Sequence, residues 1–342
     1  MTTQVDARSS KLPAPASGVN WKRRLKLSSG RIEGIVGVVV LVWLVAVPFL
    51  VNGFGTSILT QMLAFAMLTS SLHILMGWTG IVSLGQAAYF GVAGYAVGLT
   101  ALHVTTDILV LLTVGMVAGG VAAASTGWLI VRRGGPYLLM LTLAFGELLS
   151  AAANSWTSLT GGYNGLAAIP AFTLGSYSFD RPAENYWLVL VVFVGVYVLL
   201  AILARSPFAK TLNGIRDNES KMRALGYSTR LFKYAVFCLS GAVAGIAGMA
   251  WVSQTRFISP ADLNMHASSL VLLAVAVGGM RRQWGPCIGA VLIVAAQQLL
   301  PASMEGKGPL MLGVLLIVVV YLVPGGAASV PGRIAHFFGQ PR

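Results

Sequence analysis

Long apolar runs recur along almost the whole chain, broken by short polar stretches or by glycine and proline. They fall at about 35–51, 56–76, 82–103, 107–131, 136–155, 185–204, 234–254, 267–280, 286–300 and 309–323. Their lengths cluster near the roughly 17–25 residues that a helix needs to cross a ~30 Å hydrocarbon core. The ~10-residue segments of alternating polarity that mark a membrane β-barrel are absent, and lipid offers no partner to an unpaired backbone amide. The pattern therefore predicts an all-α, polytopic transmembrane helix bundle of about ten spans, within a range of 8–10. The eighth and ninth runs are short, with Gly278-Gly279 and Gly285-Pro286 at their junction. They are expected to be tilted, broken or re-entrant.

Composition sharpens this picture. Only 10% of residues are charged, against about 25% in average soluble domains, which excludes an ordinary soluble enzyme. The Lys and Arg residues give a net charge of +13, and their placement orients the bundle. With the N-terminus in the cytoplasm, 20 of the 23 basic residues fall in the tails and in the inner loops around Arg132-Arg133, 205–233 and Arg281-Arg282; Arg181, Arg256 and Lys307 fall outside. Basic residues set against an anionic inner leaflet account for the charge without nucleic acid. The resulting division is a basic cytoplasmic tail at 1–34, a membrane domain at 35–323 and a cytoplasmic C-terminal tail at 324–342. The first apolar run is read as a retained helix rather than a cleaved signal. The external connection at 156–184, rich in Gly, Pro, Ser and Asn, is expected to form an ordered cap or short re-entrant element, a slack linker being the plainer alternative.

The loop at 205–233 stands apart. Between Ser206 and Lys233 it carries Lys210, Arg216, Asp217, Glu219, Lys221, Arg223, Arg230 and Lys233. Pro207 reads as a helix start and Gly226 as a left-handed stop. Ile215, Met222 and Leu225 form an apolar stripe beside Arg216, Asp217, Asn218 and Glu219. A short amphipathic helix of mixed charge either lies on the membrane or docks into a groove on a soluble partner. Acids among the bases and a modest apolar side favour docking.

Within the spans, Gly91, Gly94 and Gly98, and then Gly241, Gly245 and Gly248, have the spacing that brings helix backbones close. Such close packing suits a transporter with two arrangements better than a simple anchor. Polar groups at these depths are few: Gln61, His73, Gln86, Thr142, Glu147, Asn154 and Gln254. Glu147 is the one acid well inside a predicted span, either functional or paired with a helix end or polar neighbour. His73, near a helix end, reads as structural. Cys238 and Cys287 match no metal spacing and read as small packing residues. No catalytic set, metal cluster or phosphate loop is visible, so neither a metal nor a cofactor is expected.

The stretch "SPFAKTLNGIRDNESKMRALGYSTRLFKYAVFCLSGAVAGIAG" resembles the cytoplasmic coupling segment of branched-chain amino-acid ABC transporter permeases of the LivM type. Three further stretches carry the resemblance in the family's order: "GWTGIVSLGQAAYFGVAGY" from Gly77, "GPYLLMLTLAFGELLSAAANSWTSLTGGYNGL" from Gly135, and "SPADLNMHASSLVLLAVAVGGMRRQWGPCIGA" from Ser259. The resemblance implies a permease subunit of an ATP-driven importer in the bacterial inner membrane. Its partners would be a second related permease, two cytoplasmic ABC ATPases that carry out the hydrolysis, and an extracytoplasmic substrate-binding protein. It assigns ATPase coupling to Arg216, Asp217, Asn218, Glu219, Ala224, Leu225 and Gly226. Candidates for the translocation pathway are Gln86, Tyr89, Thr142, Glu147 and Asn164. The chain departs from the family at Gln86, where such permeases often have His, at Tyr163 in place of the usual Pro, and at the arginines of "GGMRRQWGP". The first two leave the substrate open between branched-chain or other amino acids and, in related permeases, urea, amides, sugars or another small polar solute. An ion-coupled secondary transporter using Glu147 is the alternative of a different class; it would need neither the charged loop nor a chain so poor in intramembrane charge.

Overall fold

The computed structural model describes residues 42–49, 51–132, 136–280 and 282–298, together with Gly313. The predicted span 309–323 apart from Gly313, residues 35–41 and 50 of the first span, and both tails lie outside the described residues. Residues 42–49 belong to a unit of their own, a helical stretch closing in a 3-10 turn at Val47–Phe49.

From Asn52 to Gln298 the described residues form a helix bundle. Its elements are α1 (Gly53–Thr79), α2 (Gln86–His103), α3 (Ile108–Ile130), α4 (Pro136–Ser155), the single turn α5 (Thr157–Thr160), α6 (Pro182–Arg205), α7 (Pro207–Asp217), α8 (Glu219–Ala224), α9 (Thr229–Thr255), α10 (Met265–Gly278) and α11 (Gly285–Gln298). Five of them, α1, α3, α4 from Tyr137, α6 and α9, are long and apolar enough to cross a membrane. A small antiparallel hairpin, β1 (Thr173–Leu174) with β2 (Tyr177–Ser178), departs from the all-helical expectation. It sits in the connection between α4 and α6, which is built rather than slack. Leu166 and Ile258 pair there through their backbones, and Arg256 holds Asp180 at 3.3 Å.

α1 and α9, each of 27 residues, form the centre. In their most apolar stretches 83% and 72% of residues are buried, against 28%, 22% and 28% in α3, α4 and α6, which puts these three at the periphery. Buried hydroxyl residues of α1 do not disturb this core because they bond to their own helix. Thr60, Ser70 and Thr79 each donate to the carbonyl four residues back, at 2.9, 2.7 and 2.6 Å. A hydroxyl satisfied in this way is cheap to bury in an apolar surrounding.

A close helix crossing lies between α3 and α9. A Cβ on Gly245 would overlap the carbonyl oxygen of Gly115, and one on Gly241 would collide with Ala123 and with the Gly119 oxygen. The α9 glycines read from the sequence therefore do bring backbones together, but their partners Gly115 and Gly119 were not among those singled out. Gly248 makes the matching approach to α2 at Phe90 and Gly94.

The predicted span 82–103 is shorter than expected. Gly80, with φ of 72°, ends α1 in the left-handed region, and the chain runs without helix through 80–85 before α2 begins at Gln86. The two short runs predicted at 267–280 and 286–300 appear as the 14-residue helices α10 and α11, separated at Gly279, whose φ is 96°.

Gly245→Val should destabilise the bundle by about 1–3 kcal/mol through overpacking at this crossing. The check is the apparent melting temperature of the purified protein in detergent; an unchanged melt would contradict the close approach.

Candidate functional site

The charged loop folds as two short helices where one was expected. Ser206 caps α7 by accepting from the Ala209 amide, with Pro207 at its first position. Ala209, Leu212 and Ile215 are buried, and they hold α7 against the bundle. Asn218 then leaves helical geometry, with φ of −159° and ψ of 98°, and its side chain caps α8 by accepting from the Lys221 amide at 2.9 Å. Asn and Asp favour this position because a short side-chain oxygen reaches the orphan amides of the next helix. Gly226, with φ of 88°, receives the end of α8. Its amide donates to Arg223 O and that of Tyr227 to Met222 O, as in a left-handed helix stop.

This backbone divides the seven coupling candidates by direction. Glu219 turns inward: Lys233 lies at 2.6 Å, Thr229 at 3.1 Å and Arg223 at 3.2 Å. Burial opposes its ionisation, but Lys233 together with Thr229 and Arg223 outweighs that and holds its pKa below the usual carboxylate value. Arg216 sends one donor inward, to the carbonyl of Gly77 at the end of α1, while 43% of its side chain stays exposed. Asp217, Asn218, Ala224, Leu225 and Gly226 are exposed. Leu225 was expected in the apolar stripe with Ile215 and Met222. It stands instead 65% exposed, beside Tyr227 at 43% and Leu231 at 63%, because the break at Asn218 rotates α8 relative to α7.

Deeper in the bundle, two helices begin away from its ends. Gln86, the first residue of α2, donates to Ser71 Oγ and Ser240 Oγ, each at 2.8 Å. Ser71 lies eight residues, about 12 Å, from the end of α1. The chain at 80–85 has thus folded back along α1, and its amides need partners. Thr142 of α4 accepts from Leu84 N at 3.1 Å, and Ser268 of α10 accepts from Ala87 N at 3.3 Å. The second such start is α10. Its first amide, Met265 N, donates to Glu147 Oε1 at 2.7 Å, and Asn264 accepts from Ala267 N at 3.0 Å. Ser150 donates to Pro260 O at 3.2 Å in the approach to the same helix. One helix, α4, therefore secures both starts through Thr142, Glu147 and Ser150.

The five pathway candidates do not converge on one cavity. Gln86, Tyr89 and Thr142 are buried at 0–1% exposure. Tyr89 OH pairs with Thr126 Oγ1 at 2.8 Å and packs edge-on against Phe237, between α2, α3 and α9. Only Glu147 and Asn164 are exposed. Asn164 sits on a turn beside a cleft of about 500 Å³ lined by Leu99, Thr100, His103, Thr157, Ser158 and Leu166. Sequence reasoning missed Ser71, Ser240 and Ser268, whose signal was a hydroxyl residue inside an otherwise apolar run. His73 is structural as read, its Nε2 at 3.0 Å from Met280 O. Among the described residues, no three His, Cys, Asp or Glu side chains group as metal ligands.

The family described as "Branched-chain amino acid transport system / permease component" matches residues 55–323. The high-affinity branched-chain amino acid transport system permease protein LivM of Escherichia coli K12 is 29% identical over 84% of this chain and 73% of its own length. The probable branched-chain amino acid transport permease protein LivH of Methanocaldococcus jannaschii is 26% identical over 74% of this chain and 84% of its own. A ribose import permease protein, RbsC of Haemophilus influenzae, is 26% identical over 54% and 57% respectively. No solved structure gives a significant match.

Glu147→Ala should cost about 1–2 kcal/mol by uncapping α10, whereas Glu147→Gln, which keeps an acceptor, should cost less. Melting of both variants checks this; equal losses would mean that the bond to Met265 is not what Glu147 supplies.

Proposed function

Because the chain belongs to the branched-chain amino acid transport system permease family, we propose that it is one of two permeases in an ATP-driven importer of branched-chain amino acids. In this reading it is a multi-pass subunit of the bacterial inner membrane with about ten spans and both termini in the cytoplasm. A second, related permease completes the pathway, which accords with the similarity to LivM and LivH relatives alike. An external binding protein delivers substrate, and two cytoplasmic ATPases provide the energy. The chain is a transport subunit and not an enzyme.

The observation that carries the proposal is the outward face of the charged loop. Leu225, 65% exposed, is presented on a stop fixed by Gly226, with Asp217 and Asn218 exposed on the adjoining turn. An apolar residue ringed by polar ones on a rigid short helix fits a groove on a soluble partner. α4 supplies the complementary feature in the membrane. Its exposed residues include Glu147 and Asn154 as well as Tyr137, Met140 and Leu148. A carboxylate at membrane depth is too costly to leave against lipid, so this face belongs against the second permease and the pathway between them.

The sugar permeases among the relatives keep another small polar solute, urea and amides included, as the runner-up substrate class. The ion-coupled alternative is weakened by Glu147 itself, because one of its oxygens is committed to the α10 amide, as a helix cap needs and a proton relay does not.

Two substitutions test the docking face. Leu225→Asp should weaken ATPase binding by about 2 kcal/mol, roughly 30-fold, as loss of an interface anchor does. Gly226→Pro, which cannot adopt φ of 88°, should abolish uptake at equal amounts of inserted protein. Wild-type ATPase co-purification and uptake in both would overturn the docking reading.

A further inference from the structure

Arg216 stands among the residues that the family resemblance assigns to the ATPase contact, yet part of its guanidinium is bonded to the bundle. Nη1 donates to the carbonyl of Gly77. That carbonyl is in the last turn of α1, where the final four carbonyls of a helix have no partner within it. The turn's other carbonyls are partly served by the chain itself, as Gly80 N donates to Met76 O and Ile81 N to Leu75 O. Arg216 supplies a donor for Gly77 and sets a positive charge at the negative end of the α1 dipole.

The fit depends on Gly80. A Cβ there would lie 3.1 Å from Arg216 Cγ and 3.8 Å from Cδ, and the backbone φ is 72°. A glycine at this turn thus allows both the left-handed stop of α1 and the passage of the arginine stem across it. Next to it Asp217, paired with Arg216 at 3.5 Å, has 73% of its side chain exposed. Arg216, 43% exposed, thus stands at the surface of α7 with one nitrogen bonded to α1 and another to Asp217.

The end of α1 is also where other elements meet. One turn before Gly77, His73 bonds to Met280 in the connection after α10. Half a turn further, Ser71 receives Ser240 Oγ on its carbonyl and Gln86 Nε2 on its hydroxyl, which ties α1 to α9 and to the start of α2. A displacement applied at Gly77 is thus delivered to a stiff helix bonded directly to α2, to α9 and to the connection after α10.

We propose that Arg216 is a positioning residue that carries the motion of the docked loop into α1, and that it is not a contact to the ATPase. The inference rests on the reading of 205–233 as the coupling segment and says which of its residues transmit inward. In this division of labour Leu225 and its neighbours hold the ATPase, Glu219 holds α8 to α9, and Arg216 links α7 to the span.

The test uses the complete importer in proteoliposomes, with its ATPase pair and binding protein, and measures leucine uptake, ATP hydrolysis and ATPase co-purification together. Arg216→Gln should retain the ATPase and at least half of its turnover while leucine carried per ATP falls by about fivefold or more, within the range of ordinary coupling energies. Arg216→Lys, which keeps the cation with a single donor group, should fall between Arg216→Gln and wild type. It also preserves the test if the glutamine variant does not fold. Release of the ATPase by Arg216→Lys or Arg216→Gln would make Arg216 a contact residue and overturn the inference while leaving the docking reading intact. An unchanged ratio of leucine to ATP would overturn it too, including where the variants merely melt earlier. Leu225→Asp run in parallel separates the two claims, because retention of the ATPase there sinks the docking reading on which the role of Arg216 rests, whereas an unchanged ratio in the Arg216 variants sinks that role alone.

Discussion

Everything in this bundle depends on one constraint: a backbone amide removed from water must find a partner. Regular helices meet it by themselves. The segments 80–85 and 256–264, which precede α2 and α10, do not, and the structure is arranged to supply what they lack. Thr142, Ser268, Glu147 and Asn264 each accept from an amide at or beside these two helix starts. The buried oxygen Oε1 of Gln86 is the converse case, an acceptor with no donor among the described residues. Irregular backbone at depth is tolerated in membrane proteins where it is enclosed by protein or lines a cavity. α4 does the enclosing here, and the same helix keeps a largely exposed opposite face.

Close helix packing and the breaks serve each other. Gly115 and Gly119 of α3 against Gly241 and Gly245 of α9 draw the helices together until backbone meets backbone. A pair that close has few intermediate arrangements, so relative motion takes the form of a shift between discrete packings. The short helices α7 and α8 are suited to drive such a shift. Their buried side, Ala209, Leu212 and Ile215, grips the bundle, while Leu225 and Asp217 remain outside it.

Much of this was legible in the sequence, and what was not has identifiable physical causes. Apolar run length placed α1, α3, α4, α6 and α9 within a few residues, because span length is set by the bilayer and not by partners. Pro207 and Gly226 marked the ends of the charged helical segment because each acts on its own backbone. The break at Asn218 was missed because Asn, though a favoured helix cap, also occurs within helices, and no proline or glycine stands there to force a stop. The late start of α2 was missed because "GIVSLG" is as apolar as a span, and nothing local says that it is extended. Glu147 was legible as exceptional, but its bond to Met265 joins residues 118 apart in sequence, beyond any local pattern. The inward turn of Arg216 was hidden for the same reason, its partner Gly77 being 139 residues away.

The central claim is that energy enters this chain from an ATPase through the charged loop and not from an ion gradient through Glu147. The most direct measurement is leucine uptake into proteoliposomes under two driving forces, ATP inside with no ion gradient, and a pH step with no ATP. The account predicts uptake only with ATP and only when the ATPase pair, second permease and binding protein are present. Uptake by this chain alone in response to the pH step would contradict it.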